Sequence, residues 1–251
     1  MTPDELRATI GADPAATALL FDFDGTLAPI VEDPEGALPA AGALDLLGRL
    51  AERYRRVAVV SGRPRAFLTD LVPPAVDISA LYGLEARVDG VFSDHPDAAE
   101  WRSVVDRVTA EADLPPGVLL EPKRYSLTAH FRRVPEAETA VGVWANEVAS
   151  STGLVARSAK ASIELHPPLD VDKGTAVRLL ADGCRTVSYV GDDVGDLPAF
   201  EMLDELRAAG VATVKIAAAG VGLPRSMAEA ADLVVAGPAA VVDLFLPLVA
   251  E

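Results

Sequence analysis

Five short apolar runs, Ala18–Phe23, Val57–Val60, Val187–Val190, Val211–Ile216 and Leu233–Val235, alternate along the chain with helical patterns. The helical stretches are Ala40–Arg53, Gly174–Ala181, Leu197–Ala208, Pro224–Ala230 and Pro238–Val249. Runs such as Val57-Ala58-Val59-Val60 show no polar alternation, so both faces of these strands must be buried. Strand–helix alternation of this kind predicts an α/β fold, a parallel sheet with helices on both faces. The middle of the chain reads differently. Leu84–Val91, Gly117–Glu121, Ser126–Phe131 and Ser162–His166 look like strands arranged in pairs, with turns such as Asp89-Gly90. Pro96–Ala112 and Glu136–Ser151 look like helices. The expected organisation is a core of residues 1–85 and 168–251, interrupted by an α+β insertion over 86–167, with Pro167-Pro168 at the return crossing.

The chain has 251 residues, half of them hydrophobic, enough for one large domain or two modest ones. Its formal charge of -16 argues against a nucleic-acid or anionic-membrane partner, since both require a basic surface. No apolar run reaches the roughly 18–20 residues of a membrane span. The acidic start MTPDELRATIGADP lacks the basic and apolar segments of a signal peptide, so a cytoplasmic location is expected; a monomer is the separate expectation for the assembly. Cys184 is the single cysteine, which excludes an intrachain disulfide and reads as a buried thiol. Only Lys123, Lys160, Lys173 and Lys215 among the 22 basic residues are lysines. A compact point charge kept at a few places suits an anionic small substrate held in one pocket.

Open parallel sheets bind ligands outside the carboxyl ends of their strands. Four polar clusters fall at such ends. Asp22 and Asp24, in Phe21-Asp22-Phe23-Asp24-Gly25-Thr26, are two residues apart after Ala18-Leu19-Leu20, a spacing that puts both on one side of a strand. Their mutual repulsion asks for a cation or hydrogen bonds. One carboxylate can attack phosphorus, and the other can protonate a leaving oxygen and then activate water. Ser61-Gly62-Arg63-Pro64 follows Val57–Val60, where the Ser61 hydroxyl and Gly62 amide can hold a phosphate oxygen. Asp172-Lys173-Gly174 opens a helix, with Asp172 as N-cap and Lys173 placed to neutralise phosphate and nucleophile. Gly191-Asp192-Asp193-Val194-Gly195-Asp196 brings three acids around a tight loop, and oxygen-only ligands beside a phosphate point to Mg²⁺.

In this order the four clusters resemble the haloacid dehalogenase-like superfamily of phosphotransferases. The resemblance implies Asp22 as nucleophile and Asp24 as general acid/base. It implies Mg²⁺ held by Asp22, the backbone carbonyl of Asp24, and Asp192, with Asp196 as a nearby or water-mediated acid. The insertion is similar to the large α+β (C2-type) cap of that superfamily's sugar-phosphate phosphatases. The series LFDFDGTLAPI, VSGRP, Tyr82-Gly83-Leu84-Glu85, EPKRYSLTAHFR, KASIELHPP and VDKGTAV resembles the trehalose-6-phosphate phosphatase family over nearly the full length. It implies that Glu121, Lys123 and Arg132 on one cap face, and Lys160 and Glu164 on another, grip sugar hydroxyls; His130 reads by itself as a structural residue packed at the strand end. The fourth motif departs from the family, with Leu197 and Pro198 where further acids are usual, and His166 stands where arginine is frequent. The short N-terminus implies a stand-alone phosphatase without a fused synthase. The resemblance implies a phosphatase that hydrolyses trehalose 6-phosphate, a small sugar phosphate, to trehalose and phosphate through an aspartyl-phosphate. The alternatives are a sucrose- or glycosylglycerate-phosphate type of substrate, a non-catalytic sugar-phosphate sensor, and a phosphomutase.

Overall fold

A computed structural model describes residues 1–31, 36–159, 161–220 and 222–250. Its elements in chain order are α1 (Pro3–Gly11), β1 (Thr17–Phe21), α2 (Ala43–Arg53), β2 (Arg56–Val60), α3 (Arg65–Leu71), β3 (Asp77–Ala80), β4 (Glu85–Val88) and β5 (Val91–Asp94). Then come α4 (Arg102–Glu111), β6 (Leu119–Pro122), β7 (Leu127–His130), α5 (Glu138–Thr152), β8 (Val155–Ala159) and β9 (Ser162–His166). The chain finishes with α6 (Lys173–Leu180), β10 (Thr186–Gly191), α7 (Leu197–Ala208), β11 (Ala212–Ala218), α8 (Arg225–Ala230), β12 (Leu233–Val235) and α9 (Gly237–Phe245). Two compact units result, Met1–Ser93 with Val171–Glu251, and Asp94–Asp170.

The first unit is built on an eight-stranded sheet of order β12-β11-β10-β1-β2-β3-β4-β5. The strands from β12 to β3 pair in parallel, and β4 then runs antiparallel to β3. The apolar runs still obey the two-residue period of a strand. Leu19 and Phe21 of β1 face a core layer with Leu6, Leu46, Leu50 and Phe245. Ala18 and Leu20 face the opposite layer, with Val177 and Leu180 of α6 and Phe200 and Leu203 of α7. Cys184 is buried, and burial pushes its thiol pKa up, so it is held protonated as a core residue.

The second unit is a four-stranded antiparallel sheet, β6-β7-β9-β8, with α4 and α5 packed on its apolar face. Leu127, Ala129, Ile163 and Leu165 alternate onto Val105, Val108, Val141 and Ala145 of those helices. The unit starts later than the expected residue 86, because Ala86 and its neighbours continue the first sheet. Ile78 pairs with Arg87 and Ala80 with Glu85. Buried Arg87 donates to the carbonyls of Pro73 (2.8 Å) and Val76 (2.7 Å), which ties β4 to the segment entering β3. Among the described residues, no helix is long and apolar enough to cross a membrane.

Helix α6 begins with a capping box. Asp172 accepts from the Thr175 amide (2.8 Å), and the Thr175 hydroxyl closes the box with the Asp172 backbone amide (2.9 Å). The box sets where the helix starts and therefore where Lys173 projects. Asp172→Ala is expected to cost about 0.5–2 kcal/mol in urea unfolding. An unchanged midpoint would mean that packing of Val177 and Leu180 alone sets the start of the helix.

Candidate active site

Strand β1 lies between β10 and β2, with Phe21 in register with Val190 on one side and Val59 on the other. All three strands are parallel, so their carboxyl ends share one edge of the sheet. The chain leaves β1 towards β2 and comes back on the other side through β10, so the strand order reverses beside β1. This is the switch point at which open α/β sheets form crevices. Asp22, Ser61 and Asp192 are the residues that follow β1, β2 and β10. Lys173 is the first residue of α6.

Asp22 continues the alternation of Ala18 and Leu20, and so turns to the α6 side of the sheet. There the Lys173 ammonium donates to Asp22 Oδ1 (2.7 Å) and Asp196 Oδ1 (2.6 Å). Tyr189 of β10 donates its hydroxyl to the same Asp196 oxygen (2.6 Å). Asp196 Oδ2 accepts from the amides of Asp192 (2.9 Å) and Asp193 (3.2 Å). Asp22, Lys173 and Asp196 are all buried. Burial pushes the Asp22 carboxyl well above its ordinary range, with the Asp196 and Asp192 charges adding and Lys173 opposing. Burial also works against the Lys173 charge, but the Asp196 and Asp22 carboxylates outweigh it and hold the ammonium well above its usual value. Asp192 is pushed up to about 7, first by burial and then by Asp196 and Asp193.

Asp24 lies on the loop beyond β1 and has a different partner. Arg63 grips it with Nε to Oδ2 and Nη2 to Oδ1, both at 2.7 Å. The expected strand to Phe23 ends at Phe21, and the two acids do not share a counter-ion: Asp22 has Lys173 and Asp24 has Arg63. The loop closes on itself, with Leu27 and Ala28 amides donating to the Phe23 carbonyl and the Gly25 amide to that of Ala28. Gly25 has φ +84°, and a Cβ there would lie 2.0 Å from Asp192 Oδ2. Only glycine lets the β1 and β10 loops approach this closely. Buried Ser61 accepts the Arg63 amide on its hydroxyl (3.2 Å), and Gly62 is packed so closely by the Tyr82 hydroxyl that a Cβ would lie 2.5 Å from it.

Asp22, Asp192 and Asp196 offer carboxylate oxygens all within 4.8 Å of one another. One ammonium cannot balance three carboxylates at that spacing, so their repulsion adds to the burial that drives Asp22 and Asp192 towards protonation. An all-oxygen donor set with surplus negative charge fits a hard divalent cation. Asp196, the nearby acid of this set, also accepts on both oxygens, from Lys173, Tyr189 and two amides. It organises the cluster.

In the second unit the strand register places Glu121 opposite Thr128, Thr128 opposite Glu164, and Glu164 opposite Arg157, one polar row across the sheet. Lys123 donates to Glu164 Oε1 (3.3 Å), which also accepts from the Ser126 hydroxyl (2.8 Å). Lys123 and Glu164 therefore share one face instead of occupying two. His130 is not merely packed at a strand end: its Nε2 lies 2.8 Å from Glu121 Oε2 on the polar face. Arg132 is half-buried in the turn after β7. Lys160 lies outside the described residues. His166 is fully buried and donates from Nδ1 to the Pro167 carbonyl (2.9 Å).

The family model described as Trehalose-phosphatase matches residues 20–233, a span that includes every residue of the charge cluster. The chain belongs to the trehalose-phosphatase family. It is 38% identical over 219 residues to a trehalose-phosphate phosphatase of Mycobacterium avium, covering 79% of this chain and 55% of that protein. The chain thus spans about half the length of the curated relatives it matches. Its fold is that of the C-terminal domain of the C. albicans trehalose-6-phosphate phosphatase (TM-score 0.81, 24% identity, 99% of this chain and 97% of that one). A haloacid dehalogenase-like hydrolase from B. subtilis shares the fold more distantly (TM-score 0.56, 15% identity, 91% and 98% covered).

Within this trehalose-phosphatase fold, two participants carry weaker sequence signals than the motif acids. Arg63 is a charge directly behind a buried strand, and Tyr189 is a hydroxyl in the otherwise buried run Thr186–Gly191. The surplus charge also sets a pH dependence. The Asp192 carboxyl is raised in the folded, metal-free chain, so the folded state binds a proton there that the unfolded state releases above its ordinary value. Metal-free stability is therefore expected to fall as pH rises from about 4 to about 7. Melting of the EDTA-treated chain against Asp192→Asn across that range tests this. The gap between them should widen in favour of the variant as pH rises, and a divalent cation should close it. Parallel pH profiles would refute the assignment.

Proposed function

We propose that the chain is a Mg²⁺-dependent phosphatase that hydrolyses trehalose 6-phosphate to trehalose and phosphate. The observation that carries this reading is the Asp22–Lys173–Asp196 network at the switch point of a trehalose-phosphatase family member. Asp22 attacks phosphorus through a carboxylate oxygen, the phosphorus–sugar oxygen bond breaks, and Asp24 delivers a proton to the departing sugar oxygen. Water then attacks the aspartyl-phosphate, the Asp22–phosphorus bond breaks, Asp24 takes the water's proton, and inorganic phosphate leaves. Lys173, Ser61 and the Gly62 amide offset the charge on the remaining phosphoryl oxygens. Asp22, Asp192 and the Asp24 backbone carbonyl would hold the Mg²⁺, which when bound supplies positive charge against the clustered carboxylates and the phosphoryl group. Asp196 keeps Lys173 and the loop amides in position.

Sugar recognition falls to the polar face of the second unit. A disaccharide has many hydroxyls and little apolar surface, so it needs charged donors and acceptors already held in place. Glu121, Lys123, Arg132 and Glu164, with Lys160, are the residues proposed for that role. His130 joins them through Glu121.

A phosphate-release panel of trehalose, sucrose, glucosylglycerate and glucose phosphates tests the reading. Release is expected to be fastest with trehalose 6-phosphate and to stop with EDTA. Asp22→Asn should abolish it in a folded chain, and Asp24→Asn should lower it by about 10²–10⁴-fold. Lys123→Ala should slow the trehalose ester selectively. Faster release from another member would reassign the substrate, and phosphate release by folded Asp22→Asn would remove the nucleophile.

A further inference from the structure

The Arg63–Asp24 fork belongs to a closed ring of contacts. Phe23, between the two motif acids, is fully buried and meets Phe67 of α3 edge to face, with centroids 5.6 Å apart and planes at 87°. The Phe67 ring carries the Arg63 guanidinium 4.6 Å from its centroid. Arg63 in turn binds Asp24, the residue after Phe23, with both ends of its fork. The backbone beneath Arg63 is also held. The Leu81 amide donates to the Arg63 carbonyl (3.1 Å) and the Tyr82 amide to that of Ser61 (3.2 Å). Leu81 and Tyr82 make these bonds from left-handed conformations, φ +47° and +59°, which non-glycine residues adopt only where the surroundings hold them.

We infer that Arg63 is a positioning residue for the reaction, acting through Asp24, with Phe67 as the platform that orients its guanidinium. A loop carboxylate that must serve a leaving oxygen and then a water has to stay in one orientation through both steps. A planar fork stacked on a ring fixes both oxygens at once, which a lysine cannot do. The fork uses one acceptor position on each oxygen, and a carboxylate has about four, so the others remain open to the reacting groups. This inference rests on the reading of Asp24 as the acid/base of a phosphatase.

The experiment compares kcat and KM for trehalose 6-phosphate with Mg²⁺ in the wild type, Arg63→Ala, Arg63→Lys, Phe67→Leu, Asp24→Asn and Arg63→Ala/Asp24→Asn, each first checked for folding by its melting midpoint. Arg63→Ala is expected to lose about 100-fold in kcat with KM little changed, the scale of an ångström-sized misplacement. Arg63→Lys should fall nearly as far, and added guanidinium should restore part of the Arg63→Ala loss but none of that of the double variant. The double variant should be no slower than Asp24→Asn alone, because Arg63 acts through Asp24. Losses that add in the double variant, or a rise in KM without a fall in kcat, would overturn the inference. If Arg63→Ala fails to fold, Phe67→Leu carries the test: it keeps the guanidinium, and an unchanged kcat would overturn the proposal. A wild type that releases no phosphate sinks the phosphatase reading, whereas an active wild type matched by Arg63→Ala sinks this inference alone.

Discussion

Surplus negative charge, buried where β1 and β10 end, governs this molecule. Asp22, Asp192 and Asp196 come within 4.8 Å of one another, and Lys173 is the ammonium bonded to two of them. A cluster like this destabilises a fold unless each charge is offset or hydrogen-bonded. The surrounding structure provides those offsets. A capping box starts α6 so that Lys173 enters the cluster, Tyr189 reaches Asp196 from within a strand, and two loop amides occupy the remaining Asp196 oxygen. The charge left over fits the site to a hard cation.

The two acids of the first motif are kept chemically distinct by their counter-ions. Asp22 is buried against a point charge on a helix. Asp24 is about a third exposed and held by a planar fork on the neighbouring strand's loop. The spacing of two residues suggested convergence on one side of a strand. Because β1 stops at Phe21, the loop instead gives the two acids different surroundings.

Much of the fold was legible because burial leaves a clear mark on composition. Continuous apolar runs flagged the central strands, and the change to paired strands flagged a second unit. Elements with weaker marks were not legible. β3 reads Asp77-Ile78-Ser79-Ala80, and its acidic start is tolerated because Asp77 faces Arg56 and accepts the Asp89 amide. Residues 86–93 resembled the insertion because they belong to a hairpin, yet edge pairing with β3 attaches that hairpin to the first sheet. The polar row Glu121–Thr128–Glu164–Arg157 needed the register of three strand pairs, which no local pattern encodes.

Sequence alone determined which residue types stand at the strand ends, and so the chemistry available: two acids after β1, a lysine opening α6, three acids after β10. Local rules suffice for this, since alternation, capping and turn residues act over a few positions. Tertiary structure alone decided who meets whom. Lys173 and Asp22 are 151 residues apart and Arg63 and Asp24 are 39 apart, and each pair is joined by the order of strands in the sheet. Charge partners at such separations are chosen by topology and close packing, because an ion pair's strength depends on distance and burial that the one-dimensional chain does not contain.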